Sequence, residues 1–145
     1  RIINRVRLHH ASNMFPKGIR GASRMAHALK NGESLALLID QKMNEGVAVP
    51  FFGHDAMTAP AIAQLAVKYG LAIIPARVVR TRGAHFRATA FPPLAVARSG
   101  DEEADTKAVL LTLHKLLEEW IRERPEQWLW IHRRWPKEFY NKSTK

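Results

Sequence analysis

Leu71-Ala72-Ile73-Ile74-Pro75-Ala76-Arg77-Val78-Val79, then Thr81-Arg82-Gly83-Ala84, then His85-Phe86-Arg87-Ala88-Thr89-Ala90-Phe91, is the stretch whose reading decides the fold. The first run reads as a strand, with Pro75 implying an edge position or a bulge because proline has no N–H for a ladder. Gly83 marks a turn, and the alternation from His85 to Phe91 supplies an antiparallel partner. Just upstream, Thr58 as N-cap and Pro60 in the first turn open a helix whose stripe Ile62, Leu65, Ala66, Tyr69 ends at Gly70. Further upstream, Leu35-Ala36-Leu37-Leu38-Ile39 reads as a strand buried on both faces and ending at Asp40, with residues 41 to 57 as a loop. Strand, helix, strand and hairpin together predict an α/β fold with a mixed sheet.

Outward from that centre the signals thin. The basic N-terminal stretch has a turn at Pro16-Lys17-Gly18, and Ala22, Met25, Ala26 and Leu29 form a helical stripe stopped by Asn31-Gly32. After Pro92-Pro93, the run Ser99-Gly100-Asp101-Glu102-Glu103 places negative charge at the positive end of a long helix. Its buried face is Val109, Leu113, Leu116, Leu117, Trp120 and Ile121, and Pro125 ends it. Pro125 to Pro136 reads either as a short helix with Trp128, Ile131 and Trp135 inward, or as a strand with Trp128, Trp130 and His132 on one face. Residues 1–137 are read as one domain and 138–145 as a polar tail, frayed from Lys137 onward.

The 145 residues carry 23 Lys plus Arg against 13 Asp plus Glu, a formal charge of +10, which points to anionic partners. Hydrophobic residues at 46% argue against disorder, and the absence of cysteine excludes disulfides, thiolate metal sites and a cysteine nucleophile. No apolar run approaches the ~18 residues that span a bilayer. There is no phosphate-binding Gly-rich loop, no Gly-x-Ser-x-Gly elbow and no His-Glu-x-x-His. Adjacent His9-His10 lack a carboxylate at ligand spacing, so no metal site is expected.

His114 and Glu119 satisfy a His-x4-Glu pattern, but within a helix an i, i+5 pair lies about 140° apart. A solvated helix face is therefore favoured for His114. Asp40-Gln41, at the end of a strand, either positions substrate or anchors a loop through backbone N–H groups. Arg77, on an otherwise apolar strand, needs a carboxylate or a phosphate, most simply an internal partner. Val47-Ala48-Val49-Pro50-Phe51-Phe52-Gly53 is either core folded under the sheet or the wall of a greasy site. His132-Arg133-Arg134 between Trp130 and Trp135 offers cations on an aromatic platform, suited to phosphates, anionic lipid heads or nucleic acid, or else arginines facing water.

Several of these segments in order resemble the C-terminal half of the bacterial lipid A biosynthesis lauroyl/myristoyl acyltransferases. They are Gly32-Glu33 before the run ending Asp40-Gln41, Val49-Pro50-Phe51-Phe52-Gly53, Ala56-Met57-Thr58-Ala59-Pro60, Ile74-Pro75-Ala76-Arg77, and Pro125-Glu126-Gln127-Trp128-Leu129-Trp130-Ile131-His132-Arg133-Arg134-Trp135. The resemblance covers residues 4 to 137. It implies a three-layer α/β/α, glycerolipid-acyltransferase-like fold of which this chain is a C-terminal fragment. It also implies an enzyme that moves a fatty acyl group from acyl carrier protein, or acyl-CoA, to a hydroxyl of a lipid A precursor, a phosphorylated glycolipid, without a cofactor. The family's His-x4-Asp/Glu base is expected upstream of Arg1, together with a helix anchoring the protein to the cytoplasmic face of the inner membrane.

On the same resemblance, Pro50, Phe51, Phe52 and Gly53 stand where related enzymes keep an acceptor and acyl-site loop, and Ile74-Pro75 matches a strand lining the acyl pocket. Asp40, Gln41, Arg77, Arg133 and Arg134 are the remaining substrate-site candidates, with Arg5 or Arg7 near the substrate phosphate. The rival readings are a non-enzymatic basic module for nucleic acid or anionic membrane, and an acyltransferase for a different glycolipid acceptor. The scattered basic residues and the apolar loop tip weigh against nucleic acid, and the +10 charge suits an acidic carrier, a phosphorylated glycolipid and the inner leaflet.

Overall fold

The computed structural model describes residue 15 and residues 19–96 and 98–141. Arg5, Arg7, His9-His10, the turn at Pro16-Lys17-Gly18 and the end of the polar tail lie outside the described residues. The chain divides into two compact units, residues 1–37 and 38–145.

In the first unit, α1 (Ile19–Lys30) agrees with the expected stripe: Met25, Ala26 and Leu29 are half-buried and Ala28 is buried, though Ala22 is exposed. Its end is a Schellman closure, with Glu33 N donating to Ala28 O and Gly32 N to Leu29 O, both at 3.0 Å.

The run Leu35 to Ile39 forms no strand, and Leu38 is 75% exposed. An apolar segment becomes a strand only where a neighbour accepts its ladder, and none pairs with it among the described residues. Residues 41 to 57, expected to be a loop, instead form an antiparallel hairpin of β1 (Lys42–Phe51) and β2 (His54–Thr58) in the second unit. Phe51 lies opposite His54, so the turn is Phe52-Gly53, with φ of 50° and 77°. Two positive φ angles in a two-residue loop match the twist of the flanking strands. At the far end the register slips, Lys42 and Val47 both facing Thr58. Gly46 fits inside this bulge because any Cβ there would overlap the Thr58 carbonyl.

Helix α2 (Ala61–Tyr69) stops at Gly70 as expected, but its N-cap is Pro60 and no side chain caps it. Thr58 is committed elsewhere, as the buried last residue of β2. The strand expected from Leu71 begins at Ala76, after Pro75; only a single bridge, Ile73 to Leu94, precedes it. β3 (Ala76–Arg82) and β4 (His85–Ala90) form the expected antiparallel hairpin. The long helix α3 (Glu102–Glu123) is capped by Asp101, which accepts from Glu103 N and Ala104 N at 3.0 Å.

The expected helix after Pro125 shrinks to a 3₁₀ turn, Pro125–Gln127, and Ile131, expected inward, is 86% exposed. The Gln127 carboxamide takes the place of further helix: Oε1 accepts from Arg80 N at 2.9 Å and Nε2 donates to Arg80 O at 3.1 Å. Instead of fraying at Lys137, the chain forms the short helix α4 (Lys137–Asn141), whose Phe139 and Tyr140 pack on the interior.

The core has two clusters. Val49, Ala63, Ala66, Ile73, Val109, Leu110 and Leu113 join β1, α2 and α3; Phe51, Ala56, Ile121 and Trp135 join the hairpin to the end of α3 and the C-terminal segment. The described residues thus combine helices with two small antiparallel sheets, in keeping with an α/β chain.

Candidate functional site

Alternation along β1 sends Val49 and Phe51 inward, and along β2 it sends Ala56 and Thr58 inward. Helix α3 crosses this hairpin with His114 on its buried stripe, between Leu110 one turn before and Leu117 one turn after. His114 is only 1% exposed, which corrects the expectation of a solvated helix face. The C-terminal segment closes the assembly with Arg134, which is fully buried.

The hydrogen bonds fix the chemistry of this centre. Arg134 Nη1 donates to Met57 O at 2.7 Å; Nη2 donates to Thr58 Oγ1 at 2.7 Å and to His114 Nε2 at 3.1 Å. The Thr58 hydroxyl gives its proton to Ala56 O at 2.9 Å, and His114 Nδ1–H donates to Pro50 O, also at 2.9 Å. Since Nε2 faces a permanent cation, the ring is the neutral Nδ1–H tautomer, assigned here from its partners. Burial holds the His114 pKa below its ordinary value, and the Arg134 charge pushes the same way against the Pro50 bond and the Glu118 carboxylate. Burial also lowers the Arg134 pKa, countered by the charges of Asp40 and Tyr140, but a guanidinium stays protonated. Its Nε has no hydrogen-bond partner. Phe51 lies under this centre, 5.5 Å from the guanidinium and 5.0 Å from the imidazole, and stacks on Trp135 at 5.6 Å.

Thr58 Oγ1 and His114 Nε2, 3.1 Å apart, have the separation of a hydroxyl and its base. Both are sealed, at 1% exposure each, and the hydroxyl proton is given to a carbonyl. The pair therefore works as a clamp: it ties hairpin, helix and C-terminal segment together through one buried cation.

The candidates named from the sequence distribute around this clamp. Pro50 supplies its carbonyl to His114, Phe51 is core, and Arg134 is the clamp's cation. Asp40 is half-buried and Gln41 exposed. Phe52 is half-buried; its N–H donates to Glu118 Oε1 at 2.6 Å, and the Arg122 guanidinium lies 4.8 Å above its ring. Gly53 is exposed at the turn, and Arg133 is exposed with Tyr140 beside it at 5.8 Å. Arg77 stands apart on β3, paired with Glu123 and lying 5.4 Å over Trp120, so it has the internal partner its position called for.

His114 and Thr58 were missed as site residues. The signal for His114 was its place on the α3 stripe, and for Thr58 its inward register in β2. Among the described residues, no group of three His, Asp or Glu side chains could hold a metal ion, and no helix is long and apolar enough to cross a membrane. In the first unit an open cleft of about 400 Å³ is lined by Phe15, Ser23, Arg24, His27, Ala28 and Glu33, none of them a candidate from the sequence.

Compared with known protein families, residues 1–137 match the family model described as bacterial lipid A biosynthesis acyltransferase. No curated protein matches the chain.

Proposed function

We propose, from the premise that this chain belongs to the bacterial lipid A biosynthesis acyltransferase family, that it serves an enzyme moving a fatty acyl chain from acyl carrier protein, or acyl-CoA, to a hydroxyl of a lipid A precursor. The family match over residues 1–137 carries this reading. In the proposed reaction a His-x4-Asp/Glu pair upstream of this chain removes the acceptor hydroxyl proton. The acceptor oxygen then attacks the thioester carbonyl and the carrier thiolate leaves, so the enzyme needs no nucleophile of its own. The complete enzyme would have a three-layer α/β/α fold and work at the cytoplasmic face of the inner membrane.

Within this reading the hairpin turn Phe52-Gly53 borders the acyl chain, supported by the half-exposed ring of Phe52. Asp40 and Gln41, at the opposite end of β1 from this turn, and Arg77 on β3 are further substrate-site candidates. Arg133, the exposed member of the arginine pair, meets the acceptor phosphate. Arg134 supports it from inside by fixing the segment on which Arg133 stands. The test is transfer of labelled acyl groups from acyl carrier protein by the full-length enzyme to a phosphorylated glycolipid acceptor. The expected product is heavier by one acyl chain; a folded enzyme that leaves the acceptor unmodified with both acyl donors overturns the proposal.

A further inference from the structure

We infer that the turn Leu129-Trp130-Ile131 is a contact surface for an anionic lipid bilayer. Three consecutive large apolar side chains stand out here, 64%, 52% and 86% exposed. The turn is held in place: Trp130 N donates to Trp128 O at 2.9 Å and His132 N to Leu129 O at 3.1 Å. Behind it, His132 Nε2 accepts from Lys42 N at 2.9 Å, and Arg134 is clamped two residues further on. The indole N–H of Trp130 is used internally, donating to Pro125 O at 2.6 Å, so its exposed rim is hydrocarbon. A fixed apolar tip of this kind keeps a steady hydration cost that a partner relieves.

Charge selects the partner. From Trp128 to Lys137 the sequence contains Arg133, Arg134 and Lys137 and no Asp or Glu, and both Arg133 and Lys137 are exposed. Gln127 joins the start of this segment to the β3–β4 hairpin, which likewise has arginines and no acid between Ala76 and Ala90. An apolar tip with an aromatic at its centre and cations at its base matches the layering of a bilayer surface, hydrocarbon beneath and anionic headgroups above. The choice of a lipid occupant rests in part on the proposed function, while the exposed turn stands independently of it.

The 145 residues have no cysteine, so once any cysteine upstream of Arg1 is replaced by serine a single reporter site can be introduced. Ile131→Cys, labelled in the full-length protein with a polarity-sensitive fluorophore, is compared with Thr112→Cys on the exposed flank of α3. Vesicles of phosphatidylglycerol and phosphatidylethanolamine should shift emission to the blue at position 131 but not at 112, and more strongly than phosphatidylcholine vesicles. Leu129→Asp added to the labelled Ile131→Cys protein should cut that blue shift severalfold, with an unchanged thermal midpoint, a local readout that an anchoring helix elsewhere does not mask. No shift at 131, an equal shift at 112, no preference for anionic vesicles, or a shift unaltered by Leu129→Asp overturns the inference. A lowered midpoint does so too, because it shows the turn covered by the protein itself. A protein that shows the shift yet transfers no acyl group keeps this inference and loses the proposed function; the converse result separates them the other way.

Discussion

Thr58→Val tests the buried clamp most cleanly, because valine is isosteric and opens no cavity. The substitution removes the acceptor for a guanidinium N–H at 2.7 Å and a hydroxyl donor bond to Ala56 O at 2.9 Å. A bond to a charged group contributes about 1.5–3 kcal/mol and a neutral one about 0.5–1.5 kcal/mol. The extra buried methyl returns about 0.8 kcal/mol. Arg134 already carries one orphaned N–H at Nε, and His114 Nε2 already accepts from Nη2, so the released Nη2 proton is left without a partner. The net expectation is a loss of about 2–3 kcal/mol, or a fall in Tm of roughly 6–10 °C for a chain of this size. Urea unfolding should show a lower midpoint with an unchanged slope. Thr58→Ser, which keeps the hydroxyl, should cost less than Thr58→Val. A loss for the valine variant below about 0.5 kcal/mol, the range of ordinary surface changes, would refute the idea that this hydroxyl anchors the cation.

The other expectations concern pH, backbone space and substrate. Because the folded His114 pKa lies below the unfolded value of about 6.5, the unfolded chain takes up the proton first as pH falls. Stability should therefore be flat above that value and decline below it; an identical decline in His114→Gln, followed by urea midpoints between neutral and mildly acidic pH, would assign the effect elsewhere. Gly46→Ala places its Cβ 2.7 Å from the Thr58 carbonyl carbon and should destabilise by about 3 kcal/mol or more. Gly53→Ala, with open space but φ of 77°, should lose only about 1–2 kcal/mol, and thermal melts that reverse this order count against the bulge geometry. In the full-length enzyme Arg133→Ala should raise the acceptor KM several-fold with kcat little changed, and an unchanged KM removes Arg133 from the phosphate. Phe52→Asp should lower acyl transfer at least tenfold while the protein stays folded; kinetics equal to the parent would detach the turn from the acyl chain.

What the sequence disclosed follows from where its signals are local. Helix α3 is marked by Asp101, by the acidic first turn and by Pro125, and the β3–β4 hairpin by Gly83 between alternating runs. Each signal acts within a few residues, so it survives without tertiary context. The β1–β2 hairpin was hidden for two physical reasons. Its outward residues Ala48 and Pro50 are as apolar as its inward residues Val49 and Phe51, so the alternation carries no contrast. Its turn also puts phenylalanine at a left-handed position usually filled by Asn, Asp or Gly. Leu35 to Ile39 misled in the opposite way, having strand composition without a strand partner among the described residues.

The candidate site was partly legible. Arg134 was singled out from its motif, but its burial depends on Met57, Thr58 and His114, residues 20 to 77 positions away in the chain. No window of sequence contains that relation. The Phe51-Phe52 pair divides in the structure, one residue interior and one half-buried, because β1 ends at the inward-facing Phe51 and Phe52 opens the turn with a left-handed φ of 50°. Any test of the turn must therefore alter Phe52 alone, since charge at position 51 would enter the core.

The Gln127 carboxamide, bonded to both the N–H and the carbonyl of Arg80, behaves at that point like one residue of a neighbouring strand. A two-stranded ribbon has open margins, and open margins are where unrelated chains add themselves. Here one margin is stoppered by a side chain delivered from the 3₁₀ turn, 47 residues away in sequence. An incoming strand must evict that amide before it can extend the ribbon past Arg80. The glutamine thus closes that margin at Arg80 with the two bonds a further strand would make there, independently of the tryptophans and arginines that follow it.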